Sequence, residues 1–369
     1  MNGFRRSFPC CLAALALSAC ATAQPLASAS ERDAISATLM RDMTILSSDT
    51  FAGRAPGGEG EQRTTAFIVE ELQAAGLVSG SGDPERPWRQ PVPLIADGPE
   101  GMGLTLYPGD ETAGENDGAT DDSDDHEELR PFVSDNVIGL LPGRVTDAGA
   151  VLMLAHWDHL GICGPDGPDD RICNGAVDNA SGIAILLELT RRLAASGPHD
   201  RDIYVLATTA EEAGLLGARA FVKAPPVPLD TFVAAFNLDT MAVAPAGSPV
   251  GIVGEGRTAL DEVIHEILRE AGREPGDRDF AESFVQRQDG WALLREGVPA
   301  VLLSSTFGSR DLANRYFDND YHSPSDEIGA IELGGAIDDL LLHERLIRHI
   351  ASADRYAAPG GVLAKGAGD

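Results

Sequence analysis

The sequence predicts an α/β fold, a three-layer α/β/α sandwich around a central, mostly parallel (mixed) sheet. Four short runs carry the strand half of that expectation: AVLMLA (150–155), DIYVLAT (202–208), TFVAAFNL (231–238) and AVLLSS (300–305). Each is almost continuously hydrophobic, as strands covered on both faces are. Helical segments separate them: SGIAILLELTRRLAAS after Asn179, TALDEVIHEILREAG from Thr258, and a terminal helix from Leu333 to Tyr356. Such alternation builds a sheet with helices on both sides. The 369 residues are 43% hydrophobic, with 41 Gly and 23 Pro spread along the chain, enough for one large α/β domain or two smaller ones.

Ahead of this region the pattern is helical. Glu31 to Leu46 has helical periodicity, and TTAFIVEELQAAGL (Thr64 to Leu77) is a clearer amphipathic helix stopped by Gly76. Between them lies SSDTFAGRAPGGEGEQ, read as a Gly-rich loop. No repeat recurs at solenoid periods.

The first residues read as an export signal. Arg5 and Arg6 precede a short apolar stretch from Cys10 to Leu17 and small residues beyond it, too short for a membrane span. Leu17-Ser18-Ala19-Cys20 resembles the lipobox of bacterial lipoproteins, which makes Cys20 the preferred lipid attachment point; Ala21-Thr22-Ala23 offers ordinary cleavage instead. The expected organisation is a signal peptide over 1–19, a tether over 20–30, one domain over 31–356 and a flexible tail over 357–369. The location implied is the periplasm, with membrane contact only through the N-terminal anchor.

Loss of residues 1–19 leaves 26 basic against 58 acidic side chains, a net charge near −32. Nucleic acid is excluded as a partner, since no basic surface is available to displace phosphate counterions. Ten of the acids fall in GDETAGENDGATDDSDDHEEL (109–129), which reads as a solvated acidic loop. Of five cysteines, Cys163 and Cys173 remain once Cys10, Cys11 and Cys20 are set aside. In an oxidising compartment a pair ten residues apart is a disulfide candidate, stabilising by roughly 2 to 3 kcal/mol.

Ligands of open α/β sheets bind beyond the carboxyl ends of the strands. Here those ends carry His156 and Asp158 (HWDH), Glu211 and Glu212 (AEEAGLLGA) and Asp239 (NLD), with Asp178 (GAVDNASG) and His322 (DYHSPSD) in loops. Each alone has a bland reading, as a helix cap or an ordinary surface group. Together they pose an electrostatic problem, because Glu211 and Glu212 side by side repel and lose hydration unless a cation compensates. Two imidazoles and several carboxylates without a thiolate suit zinc. At a helix start, consecutive glutamates point about 100° apart, so one can ligate metal while the other faces substrate as a general base.

HWD, GAVDNASG, AEEAGLLGA, NLD and DYHSPSD, in this order, resemble the co-catalytic dizinc aminopeptidases of metallopeptidase family M28, and SSDTFAGRAPGGEGEQRT resembles that family's N-terminal signature. The resemblance implies a zinc-exopeptidase-like fold, two zinc ions per chain and peptide substrates with a free N-terminus. By it, Asp178 bridges the ions, His156 and Asp239 complete one, and Glu212 and His322 complete the other. Glu211 becomes the general base, and Asp158 orients His156. The family's Ser-Asp-His is here Gln288-Asp289-Gly290, of which only Asp289 matches. His126, His159, His199, His265, His343 and His349 belong to no motif and read as surface or helix residues. Trp157 and Trp291 read either as cleft-lining or as packing residues. Two alternatives stand beside the exopeptidase: a glutaminyl-cyclase-like acyl transferase with one zinc, and a catalytically inactive binding module.

Overall fold

The structure, a computed structural model, describes residues 26–97, 103–106, 130–163 and 170–358. The signal segment with Cys20, the acidic loop 109–129 and most of the 357–369 tail lie outside the described residues. Eleven strands are assigned among them: β1 (Val78–Ser79), β2 (Arg89–Asp97), β3 (Gly103–Leu106), β4 (Arg130–Leu141), β5 (Ala150–His156), β6 (Gly161–Ile162), β7 (Ile172–Cys173), β8 (Asp202–Thr208), β9 (Phe232–Asn237), β10 (Gly251–Val253) and β11 (Ala300–Ser304). The helices are α1 (Ala29–Leu46), α2 (Glu59–Ala74), α3 (Ser181–Ser196), α4 (Leu216–Lys223), α5 (Asp261–Glu270), α6 (Arg278–Glu282), α7 (Gly290–Arg295), α8 (Arg310–Phe317) and α9 (Leu333–Ile350). No helix among the described residues is long and apolar enough to cross a membrane.

Nine strands form one sheet in the order β10-β11-β9-β5-β8-β4-β2-β3, with β1 on β4. Its centre is parallel: β5 pairs with β8 and β9, and β9 with β11. The flanks are antiparallel. The apolar runs of the sequence are these four central strands, and β5 is buried at every position. Period-two alternation divides its side chains between layers. Val151, Met153 and Ala155 join one core with α1, α3 and α9, while Leu152 and Leu154 join another with Phe221, Leu293 and Leu294. Helix α3 is sandwiched so deeply that Ile183, Ile185, Leu186, Leu187 and Leu189 are all buried. Each contributes roughly 1.5–3 kcal/mol by leaving water.

The antiparallel flank departs from the sequence expectation, which placed no strand before residue 136. Strand β2 reads RQPVPLI, and prolines argue against a central strand because they lack a ladder donor. Long-range pairing overrides this, with Pro91 opposite Asp135 and Pro93 opposite Val133. Helix α2 starts five residues earlier than Thr64: Gly58 is its N-cap, and Glu59 and Glu61 sit in the first turn where the helix dipole favours acids. It ends before Gly76, at φ 91°. The terminal helix stops at Ile350, short of Tyr356.

Connectivity creates the site. From β5 the chain crosses through α3 to β8 on one side, then returns through α4 to β9 on the other. The two crossovers diverge at β5 and β9, so their carboxyl ends open a crevice between them.

Candidate metal centre and active site

His156 ends β5, and Asp239 follows β9 across the crevice, with His156 Nε2 3.6 Å from Asp239 Oδ1. Asp178 enters between them from the turn before α3. Its Oδ1 lies 3.3 Å from His156 Nε2, and its Oδ2 lies 3.4 Å from His322 Nε2. His322 Nε2 is also 2.8 Å from Glu212 Oε2. One carboxylate therefore presents its two oxygens to two separate imidazole–carboxylate pairs, His156 with Asp239 and His322 with Glu212. Ligand atoms of His156, Asp178 and Glu212 all fall within 4.8 Å of one another.

Each of these side chains is held from behind. Asn179 Oδ1 accepts from the amides of Gly182 and Thr240, and its Nδ2 donates to Leu238 O, which ties the Asp178 turn to the end of β9. Asp326, the last letter of DYHSPSD, accepts from the amides of Val177 and Asp178 and from the Tyr316 hydroxyl. His322 adopts φ 56° and stacks on Tyr321 with ring centroids 3.7 Å apart.

Glu211 and Glu212 occupy a turn preceding α4, so the expected helix-start geometry is replaced by a turn entered through Ala210 at φ 52°. Asp158 makes that turn. Its buried carboxylate accepts from the Glu211 amide at 3.1 Å and the Glu212 amide at 3.4 Å. His156 Nδ1 donates instead to the Asp158 carbonyl oxygen at 3.1 Å; the carboxylate is 3.7 Å away, beyond hydrogen-bond reach. Asp158 thus orients the imidazole through its main chain and the two glutamates through its side chain.

The cluster is rich in acid. Burial, with Glu212 adding to it, pushes the Asp158 carboxyl up to about 7 against the pull of His156. Burial likewise raises Glu211, reinforced by Asp289, Asp239 and Glu212 and opposed by His156. Asp289, buried behind the cleft and accepting from the Thr208 hydroxyl, is pushed up to about 6 by burial. Burial works against a charged imidazole, yet Asp178 and Glu212 lift His322 to about 10. A donor set of nitrogens and carboxylate oxygens that draws its own imidazoles toward the cationic form fits divalent zinc.

Arg54, from the N-terminal FAGR segment, underlies this group and is 1% exposed. Its guanidinium donates to the carbonyls of Leu46, Trp157, Asn174 and Gly175 at 2.5 to 2.9 Å. Gly53 allows the approach, since a Cβ there would lie 2.5 Å from Gly161 O. Replacing Arg54 with Met leaves four buried carbonyls without their donor, at roughly 1–3 kcal/mol for each one left unsatisfied. Urea unfolding should show a loss on the order of 4 kcal/mol; a loss below about 1 kcal/mol would mean that water or rearranged backbone satisfies those carbonyls.

The reading of His159 is corrected, whereas those of His343, Trp157 and the cysteine pair hold. His159 is no surface residue: it is 1% exposed, with Nδ1 2.7 Å from Glu212 Oε1. His343 is also fully buried, in α9, with Nδ1 on Asp339 O, and burial lowers it to about 4. Of its two readings Trp157 takes the packing one, in the core at 0% exposure. Cys163 and Cys173 are bonded, with Cα atoms 5.8 Å apart, closing the loop after β5. The signal for His159 was available as the fourth letter of HWDH, three positions after a ligand candidate.

The cleft over His156, Asp178, Glu211 and Asp239 is walled by Phe284, Phe307, Phe317 and Tyr321, with Arg287 also lining it. A separate cleft of about 350 Å³, lined by Val177, Tyr316 and Asp326 among others, contains none of the ligand candidates.

A part-parallel sandwich with imidazoles and carboxylates at its switch point is a zinc-exopeptidase-like fold. Among solved structures it is shared by BSAP, a zinc aminopeptidase from Bacillus subtilis, with TM-score 0.58 and 17% identity over 87% of this chain and 96% of that one. A Zn-dependent exopeptidase from Parabacteroides distasonis ATCC 8503 gives TM-score 0.58 and 17% identity over 89% and 99%. Glutaminyl cyclase from Porphyromonas gingivalis gives TM-score 0.57 and 16% identity over 88% and 99%. The chain belongs to peptidase family M28, whose profile matches residues 136–339. All five ligand candidates fall inside that match, and Arg54 falls outside it. Among curated proteins, aminopeptidase YwaD of Bacillus subtilis (strain 168) is 38% identical over 90 residues, 24% of this chain and 17% of that protein. The vacuolar membrane protease of Schizosaccharomyces pombe (strain 972) is 30% identical over 104 residues, 28% and 11%. The matched segments thus span less than a fifth of those curated relatives.

Proposed function

We propose that the protein is a zinc-dependent aminopeptidase that removes N-terminal residues from peptides, with two zinc ions per chain. The observation that carries this reading is the divided aspartate: Asp178 faces His156 with one oxygen and His322 with the other. In this assignment His156 and Asp239 would hold one ion, Glu212 and His322 the other, and Asp178 would serve both. Zinc so held would supply Lewis acidity, polarising the scissile carbonyl and bringing the pKa of the attacking water near neutrality.

The chain's own part is proton transfer and positioning. Glu211 lines the cleft beside His156, Asp178 and Asp239. Its raised proton affinity suits a group that takes a proton from the attacking water and passes it to the departing amine. Asp158 keeps Glu211 in place through the amide at 3.1 Å. The aromatic wall of Phe284, Phe307, Phe317 and Tyr321 supports a large apolar first residue. The N-terminal segment supports export and lipid attachment at Cys20.

Cyclase chemistry with a single zinc is the less economical reading, because both imidazole–carboxylate pairs are complete. A binding-only role leaves Glu211 unexplained. The test is a panel of aminoacyl fluorogenic substrates, with leucyl and phenylalanyl derivatives first, run beside N-acetylated counterparts. Free substrates should be cleaved and acetylated ones spared, with a chelator abolishing turnover and zinc restoring it. Equal cleavage of the acetylated substrates would contradict aminopeptidase action.

A further inference from the structure

We propose that His159 is a positioning residue that fixes the orientation of the Glu212 carboxylate toward the metal centre; the proposal rests on the reading of Glu212 as a ligand. His159 is buried, and its Nδ1 lies 2.7 Å from Glu212 Oε1. An ionised carboxylate only accepts, so Nδ1 carries the hydrogen and donates. Glu212 Oε2 is left 2.8 Å from His322 Nε2, on the side facing Asp178. With one oxygen engaged by an imidazole N–H, the other becomes the ligand atom, and the carboxylate loses the freedom to turn about its terminal bond.

The imidazole is itself braced. Its backbone amide donates to Arg54 O at 3.3 Å. Its ring packs so close to Gly175 that a Cβ there would come within 2.7 Å of both Cγ and Cδ2. Gly175, at φ 54°, is in turn held by Arg54 Nη2 on its carbonyl. The His322 ring meets His159 edge to face at 5.8 Å. Nε2 is buried without a partner, so the bond to Glu212 is the polar contact this side chain makes. A buried imidazole whose Nδ1 hydrogen is directed at a metal-facing carboxylate is arranged to orient that carboxylate. The same bracing connects the FAGR segment to the metal centre: Arg54 holds Gly175 and His159, and His159 holds Glu212.

The test measures zinc affinity, not turnover, in the purified full chain after metal removal, by competition with a chromogenic chelator. H159L and H159A lack the donor and differ in size, so either serves if the other does not fold. H159N keeps an amide N–H near the position of Nδ1. Melting of the metal-free proteins monitors folding. Wild type should bind two zinc ions, and the donor-free variants should hold one of the two about 10- to 100-fold more weakly, the other unchanged. H159N should stay within a few-fold of wild type. Wild-type affinity for both ions in H159L and H159A would overturn the proposal. So would an H159N as weak as the donor-free variants, the result expected of a direct ligand or a purely packing role. Failure of wild type to bind zinc would instead remove the ligand reading of Glu212, and the proposal with it.

Discussion

Glu211→Gln should leave zinc binding and folding intact while lowering kcat by about 10² to 10⁴ fold. The substitution is nearly isosteric and keeps a polar group in the cleft, but it cannot take a proton. Glu211 is suited to this subtraction because the neighbouring contacts run through its main chain: the amide donates to Asp158, and its carbonyl accepts from the amides of Gly214 and Leu215. These bonds survive the change, so the turn and the adjacent Glu212 should stay in place. Removing one carboxylate from a site where Asp158, Asp289 and Glu211 are all pushed up should also spare stability. Metal content by elemental analysis and kcat on a leucyl substrate check both halves. Near-normal turnover with full zinc would contradict the proton-transfer role.

Asp178→Ala should have the larger effect, because in the proposed assignment it takes a ligand from both halves of the centre at once. The affinity of both ions should collapse, and activity should fall by more than the about 10² to 10⁴ fold expected of the base alone. The fold should persist. The Asp178 turn is fixed by main-chain bonds to Asp326 and by the Asn179 side chain, none of which uses the Asp178 carboxylate. The metal-free variant should therefore melt close to metal-free wild type while failing to gain stability when zinc is added. Retention of one tightly held zinc would show that a half-site stands alone and that the carboxylate is not shared.

Much of this site is legible in the sequence because His156, Glu212 and Asp239 end or follow strands whose apolar runs are unmistakable, while Asp178 and His322 lie in loops. The runs at 150, 202 and 231 locate β5, β8 and β9, and strand ends are where α/β sheets bind ligands. What the sequence conceals is decided by contacts between distant residues. Pro91 and Pro93 lack a ladder donor, yet they occupy a strand because β4 pairs along β2. His159 stands in HWDH beside a ligand candidate, but its partner is a carboxylate 53 positions away, which the local pattern does not reveal. Arg54 resembles any exposed arginine until its carbonyl partners, up to 121 positions distant, close around it. Asp158 was identified, but its two functions divide between backbone and side chain in a way that spacing does not reveal.

The central claim is that the excess of buried carboxylate at the ends of β5, β8 and β9 is balanced by a pair of divalent ions. Elemental analysis of the purified chain, dialysed free of loose metal after reconstitution, tests it most directly. The account predicts two zinc ions per chain, both removed by a strong chelator together with activity and both restored on adding zinc back. A chain that holds no metal after reconstitution, or that reaches full activity with a single ion, would contradict it.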